Sequence, residues 1–217
     1  MTKLAVFDCD GTLIDGQASI CHAMEAAFAE VGLPVPDRNH IRRMVGLSLP
    51  QAVRKLVPDI DENLQRDLVD AYKRAFRAQR EAGELSQPLF DGIADVLDAL
   101  HGAGWQLAVA TGMSRRGLDH CLATHGLTRH FVSLQTADDN PSKPHPAMLE
   151  AALFEADADA AQAVMIGDTV YDIQMARDAG VRAIGVDWGY HASGELTAAG
   201  AEFVATSPAA LKEYLLR

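Results

Sequence analysis

An α/β fold, a Rossmann-like and mostly parallel sheet with an all-helical domain inserted behind its first strand, is the architecture this sequence predicts. Three observations predict it. Short apolar runs recur at residues 4–7, 106–110, 131–134, 163–166, 183–186 and 203–204, with helical segments between the later ones, the rhythm of βα units. The run Ala163, Val164, Met165, Ile166 is apolar without alternation, as a strand covered on both faces must be. From Asp15 to about Leu85 the strand rhythm stops, and residues 19–31, 50–56 and 62–81 carry apolar positions at helical spacing instead.

That helical stretch is too long for a loop inside a compact domain. Residues 15–85 are therefore expected to form a small helical domain of their own, with 1–14 and 86–217 making up the sheet-bearing core. Pro88 and Gly92 mark the return to the alternating pattern. The Ala-rich stretch from Ala147 to Ala163 reads as a helix and its exit, and no internal repeat interrupts the order. A chain of 217 residues with 48% hydrophobic and 23% charged residues can bury a core of ordinary size.

The charge balance narrows the partners. Nineteen basic against thirty acidic residues give a net charge of -11, which repels nucleic acid and anionic membrane surfaces in the absence of a basic run. Three cysteines, Cys9, Cys21 and Cys121, have no C-x-x-C spacing, so neither a disulfide framework nor a zinc site is expected. A reducing cytoplasm is the expected compartment. The N-terminal run lacks a signal-peptide pattern, and no stretch is apolar for long enough to span a bilayer.

The residues that carry chemistry stand where strands end. In Phe7-Asp8-Cys9-Asp10-Gly11-Thr12-Leu13 an apolar strand runs into two carboxylates two residues apart. Ligands of open α/β sheets collect beyond the carboxyl ends of the strands, and residues two apart share a strand face. Cys9 between them points to the other face, as a small core residue. A second pair follows another buried strand, in Ile166-Gly167-Asp168-Thr169-Val170-Tyr171-Asp172. Carboxylates of this kind are hard oxygen ligands that suit Mg²⁺, and four of them on one sheet edge repel unless a cation intervenes.

Two further strand ends add a hydroxyl with a glycine, Thr111-Gly112, and an ammonium, Lys143 in Ser142-Lys143-Pro144-His145-Pro146. A hydrogen-bond donor and a positive charge are what a phosphoryl group needs. Taken singly, each has an ordinary structural reading. Asp8 and Asp10 fit a turn that caps a helix, Asp172 a helix N-terminus, Thr111 a helix cap, Lys143 a solvated surface charge, and His145 a helix start.

With these motifs in order, the chain resembles the haloacid dehalogenase superfamily, specifically its phosphatases with a helical cap after the first strand. The resemblance spans the whole length: Asp8 and Asp10 match the first motif, Thr111 the second, Lys143 the third, Asp168 and Asp172 the fourth. Within the superfamily it is most similar to the phosphoglycolate phosphatase-like group. The resemblance implies a phosphoric monoester hydrolase in which Asp8 attacks phosphorus and Asp10 serves as general acid and then base. It implies Mg²⁺ held by the Asp8 carboxylate, the Asp10 main-chain carbonyl and Asp168. It further implies a phosphate site made of Thr111, Gly112 and Lys143, with Asp172 behind them ordering a metal-bound water or orienting Lys143.

The inserted domain would then be a mobile cap that closes over the site, with the turn Val45-Gly46-Leu47-Ser48 reaching it through Gly46 and Ser48. Leu49 stands where β-phosphoglucomutase relatives carry arginine, which speaks against a mutase. Arg42, Arg43 and Arg74 are candidates for binding a substrate carboxylate, or else solvated helix-face charges. The expected substrate is a small phosphate ester, 2-phosphoglycolate first, with a sugar phosphate or pyrophosphate as alternatives. A non-catalytic module that binds a partner protein is the rival from another class, and the intact Asp8, Asp10, Lys143 and Asp168 argue against it. A monomer or homodimer is expected.

Overall fold

The computed structural model describes residues 2–217. Leu4–Phe7 carries no polar side chain and forms β1, whose four residues are all fully buried. Strands β2 (Gln106–Thr111), β3 (Phe131–Thr136), β4 (Ala163–Gly167), β5 (Arg182–Val186) and β6 (Phe203–Ala205) join it in one sheet of order β3-β2-β1-β4-β5-β6. Every neighbouring pair runs parallel. The central strand β1 lies between β2 and β4, with Leu4 in register with Gln106 on one side and Ala163 on the other. The strand order reverses at that point, so the connections leaving the carboxyl ends of β1 and β4 run in opposite directions and open a crevice there.

The alternation along β1 divides the core in two. Ala5 and Phe7 face a layer made by α5 (Ile93–Gly102), α6 (Arg115–Thr124) and α10 (Pro208–Leu216), where Leu97, Leu100, Leu118 and Leu211 are buried. Leu4 and Val6 face α7 (Ala147–Glu155), α8 (Val170–Asp178) and α9 (Ser193–Ala199), where Met148, Leu149, Ile173 and Leu196 are buried. Side chains of a strand alternate between faces, and apolar residues on both sides of β1 are what a doubly covered parallel sheet requires.

Between β1 and α5 lie four helices: α1 (Gln17–Glu30), α2 (Arg38–Arg42), α3 (Leu49–Leu56) and α4 (Glu62–Glu81). They bury a separate cluster that includes Ile20, Met24, Phe28, Ile41, Val53 and Leu68. Asp61 caps α4, accepting from the amides of Asn63 and Leu64 at 2.8 and 2.9 Å, which satisfies two of the donors a helix start leaves free. The five-residue α2 carries one apolar residue, Ile41, so it has no periodic signal in the sequence. Its start is fixed by Asp37, which accepts from the Asn39 amide at 2.8 Å.

The chain enters and leaves this helical segment side by side. Asp15 donates its amide to the Pro88 carbonyl at 2.8 Å, and Phe90 donates to Leu13 at 3.0 Å. Across the face toward the sheet, the Ser48 amide donates to Ser142 Oγ at 2.8 Å. The Arg43 carbonyl accepts from the Tyr171 hydroxyl at 3.3 Å and lies 3.2 Å from His191 Nε2. Because His191 Nδ1 accepts from the Val170 amide, Nε2 carries the proton and donates to Arg43. The Arg43 guanidinium completes this contact with a 2.6 Å ion pair to Glu195.

Phe28 is fully buried at the heart of the helical cluster. Phe28→Ala is expected to cost about 3–5 kcal/mol, since the void it leaves cannot be filled from either side. Chemical denaturation measures it, and an unchanged midpoint would mean that the four helices collapse around the missing ring.

Candidate active site

The crevice at the carboxyl end of β1 receives residues from three adjacent strands. Asp8 follows β1, Asp168 follows β4, and Thr111 is the last residue of β2. Asp8 and Asp168 are fully buried, as is Asp172 in the first turn of α8. Carboxylate oxygens of Asp8, Asp168 and Asp172 lie within 4.8 Å of one another. Lys143 stands among them with its side chain out of solvent, 2.9 Å from Asp8 Oδ1 and 2.6 Å from Asp172 Oδ1. It is therefore a buried counter-ion, and the surface-charge reading of this lysine is excluded.

Each carboxylate is held differently. Asp8 Oδ1 also accepts from the Cys9 amide at 2.6 Å, whereas Oδ2 is buried with no hydrogen-bond partner among the described residues. Asp168 accepts from Thr12 Oγ1 at 2.9 Å and from the Tyr190 amide at 2.9 Å. Asp172 gives its second oxygen to Thr169, accepting from the amide at 3.1 Å and the hydroxyl at 2.7 Å. It is thus fixed on both oxygens, toward Lys143 and toward the start of its own helix. Asp10 is nearly buried, with Oδ1 unpartnered.

Desolvation dominates the electrostatics. Burial raises the Asp8 carboxyl from the ordinary range to about 6, against the pull of Lys143. Burial first, and the charge of Asp8 second, raise Asp10 to about 7. Burial first, and then the charges of Asp8 and Asp172, push Asp168 well up. Burial opposes charge on Lys143, but Asp172 and Asp8 outweigh it and hold the ammonium above its ordinary range. The protein's own cation is thus short of the negative charge around it.

Above these groups lies a cavity of about 530 Å³, lined on the sheet side by Asp8, Asp10, Thr111 and Gly112 and on the helical side by residues 44–50 and α4. Gly46 and Ser48 both line it. A Cβ on Gly112 would strike the Leu47 carbonyl, so only glycine lets the two backbones meet here. The Thr111 hydroxyl accepts from the Met113 amide at 3.2 Å, which leaves its own proton to donate. Cys9 is buried in the core beside Phe7. His145 is exposed and accepts from the Ala147 amide at the start of α7.

The three arginines singled out from the sequence are not part of the lining. Arg42 bonds Gln17 and Asn39, Arg43 pairs with Glu195, and Arg74 pairs with Glu30. The cations that line the cavity are Lys73, Arg77 and Arg80 of α4 and Arg116 of α6. Their signal was present in the sequence: 73, 77 and 80 recur at helical spacing beside Tyr72 and Phe76, which puts all five on one helix face. Thr12 and Ser142, which bond Asp168 and the Ser48 amide, stood within the sequence motifs without a role of their own.

Comparisons with known proteins place the chain in a family. A family model described as haloacid dehalogenase-like hydrolase matches residues 5–186. The chain belongs to that family. A protein of Dickeya dadantii named "Probable phosphatase IndB" is 37% identical over 203 residues, 92% of this chain and 87% of that one. A protein of Vibrio parahaemolyticus named phosphoglycolate phosphatase is 28% identical over 98% of this chain and 96% of its own. The crystal structure of a "predicted phosphatase" from Clostridium acetobutylicum superposes with a TM-score of 0.89 at 26% identity, covering 100% of this chain and 99% of that one. This haloacid dehalogenase-like hydrolase is an enzyme of the phosphatase type, and its sheet is the Rossmann-like core of the family.

Two expectations come from the site. The raised carboxyls bind protons more tightly folded than unfolded, so in metal-free protein their contribution is full below about pH 4. It is lost as the pH rises through about 6 and 7, the values for Asp8 and Asp10. The melting temperature of metal-free protein should therefore fall between pH 5 and pH 8 as a result of these groups, and Mg²⁺ should raise it more at the upper pH. A Mg²⁺ effect equal at both ends would remove the charge-deficit account. Gly112→Ala should wedge the 45–48 turn off the sheet edge and lower kcat/KM by about tenfold or more with an unchanged far-UV spectrum, as steady-state assay would show.

Proposed function

We propose that this enzyme is a Mg²⁺-dependent phosphatase that hydrolyses a small phosphorylated metabolite through an aspartyl phosphate on Asp8. One observation carries the reading: Asp8 has one oxygen fixed by Cys9 and Lys143 and the other buried and unpartnered, beside a cavity shared with Asp10 and Thr111. A carboxylate with one restrained and one free oxygen is suited to nucleophilic attack in a defined direction.

The donor set suits a hard divalent cation. The Asp8 carboxylate, through the oxygen that does not attack phosphorus, and the buried Asp168 supply anionic oxygens, and the main-chain carbonyl of Asp10 is the third group assigned to Mg²⁺. Asp172 is set aside because Lys143 and Thr169 occupy both its oxygens. When bound, Mg²⁺ offsets the charge of the phosphoryl oxygens.

The protein groups then divide the work. Asp8 Oδ2 forms a bond to phosphorus as the bond to the leaving oxygen breaks, and the protonated Asp10 carboxyl gives that oxygen its proton. Asp10, now ionised, takes a proton from water as the water oxygen attacks phosphorus and the bond to Asp8 breaks, which releases phosphate and restores both groups. Asp10 at about 7 can give and take a proton near neutrality. Lys143 and the Thr111 hydroxyl stabilise the charge on the transferring oxygens, and Asp172 positions Lys143. The helical segment, residues 15–85, acts as a cap that excludes water and selects the leaving group.

The relatives named phosphoglycolate phosphatases support 2-phosphoglycolate as the first compound to assay, followed by sugar phosphates and pyrophosphate. The three buried free cysteines suit a reducing cytoplasm. No helix among the described residues is long and apolar enough to cross a membrane.

Asp8→Asn should lower phosphate release by about 10³-fold or more while preserving the fold, and EDTA should abolish turnover until Mg²⁺ is restored. Retained activity in the variant would sink the covalent route. Turnover indifferent to EDTA would sink the metal assignment.

A further inference from the structure

In the proposed reaction the phosphoryl group sits at Asp8, and Asp8 lines the 530 Å³ cavity. Pockets of about 300–1,000 Å³ enclose ligands of drug size, and a two-carbon acid such as glycolate would leave most of this one unfilled. Much of the lining is apolar: Ile20, Met24, Ile41 and Met44 belong to it together with Tyr72 and Phe76. Tyr72 and Phe76, one turn apart on α4, stack with centroids 5.8 Å apart and planes 24° from parallel. Flat aromatic faces and adaptable thioethers are the surfaces that planar rings pack against.

A second observation concerns polarity. Arg80 lines the same cavity, and its Nε is buried with no hydrogen-bond partner among the described residues. Arg80, Arg77, Lys73 and Arg116 make no ion pair among those residues either, although the chain carries a net charge of -11. A buried donor without an acceptor is costly, so its retention at a ligand wall points to an acceptor brought by the ligand.

We propose that the leaving group is a planar, unsaturated ring system bearing hydrogen-bond acceptors, of the kind a nucleoside 5′-monophosphate carries. The ring packs on the Tyr72 and Phe76 wall, and Arg80 donates to one of its acceptors. This rests on the phosphatase reading and specifies its substrate: water and the ester give inorganic phosphate and the free ring-bearing alcohol.

The test compares kcat/KM with Mg²⁺ for purine and pyrimidine nucleoside 5′-monophosphates, 2-phosphoglycolate and acetyl phosphate, in the parent enzyme, Phe76→Ala and Arg80→Met. At least one nucleoside monophosphate should exceed 2-phosphoglycolate by about tenfold or more. Each variant should lose about tenfold on that compound, chiefly through KM, and stay within about twofold of the parent on acetyl phosphate. Acetyl phosphate has almost no leaving group to recognise, so it reports on the catalytic groups and on folding alone. If its hydrolysis depends on Asp8 but 2-phosphoglycolate equals or beats every nucleoside monophosphate, the ring proposal is overturned and the phosphatase reading stands. Variants that depress both substrates alike also overturn it. Absence of Asp8-dependent hydrolysis of acetyl phosphate removes the phosphatase reading, and this proposal with it.

Discussion

The structure is organised around negative charge held out of water. Four aspartates converge on one sheet edge, three of them fully buried, and one ammonium, Lys143, stands among them. In so dry a place like charges repel strongly, and every nearby element serves to hold the carboxylates at defined positions. Thr12 and the Tyr190 amide hold Asp168, Thr169 holds one side of Asp172, and the Cys9 amide holds one side of Asp8. What these bonds leave free on Asp8, its Oδ2, stands with the unpartnered Oδ1 of Asp10 as the chemically available part of the site, among the described residues.

Strand order makes this convergence possible. Because β1 sits between β2 and β4, residues distant in sequence arrive from three neighbouring strand ends without any loop having to reach for them. The helical segment supplies the roof. It is fastened at the Arg43 carbonyl by Tyr171 and His191 and at the Ser48 amide by Ser142. Burial keeps His191 below its ordinary protonation range, so the neutral ring can accept from Val170 and donate to Arg43 at once. Tyr171 and His191 come from the same β4–α8 and β5–α9 regions that carry and hold Asp168, which ties the position of the roof to the position of the charges.

Much of this was readable from the sequence for a physical reason: buried parallel strands must be apolar on both faces, and all six stood out as short apolar runs. Their ends were less legible. β3 continues through Ser133, Gln135 and Thr136, polar residues that are nonetheless buried, because Gln135 donates to Ser133 within the strand. The short α2 was invisible, since a single Ile41 makes no period. At the candidate site the strand-end residues were legible because their elements were. The cavity wall was not, because which face of α4 turns inward depends on packing against α1, and the arginines of highest interest, 42, 43 and 74, proved to be engaged in surface contacts while 77 and 80 face the cavity.

The side-by-side crossings at Asp15 with Pro88 and Leu13 with Phe90 have an evolutionary consequence. A segment whose two ends meet at one point of the scaffold closes on itself at little entropic cost whatever its length, and nothing within the sheet changes register when it is altered. The helical portion of the chain can therefore be lengthened, shortened or replaced as a cassette while the strand ends and their carboxylates stay where they are. A fold wired this way lets new specificities be tried without putting the reactive centre at risk.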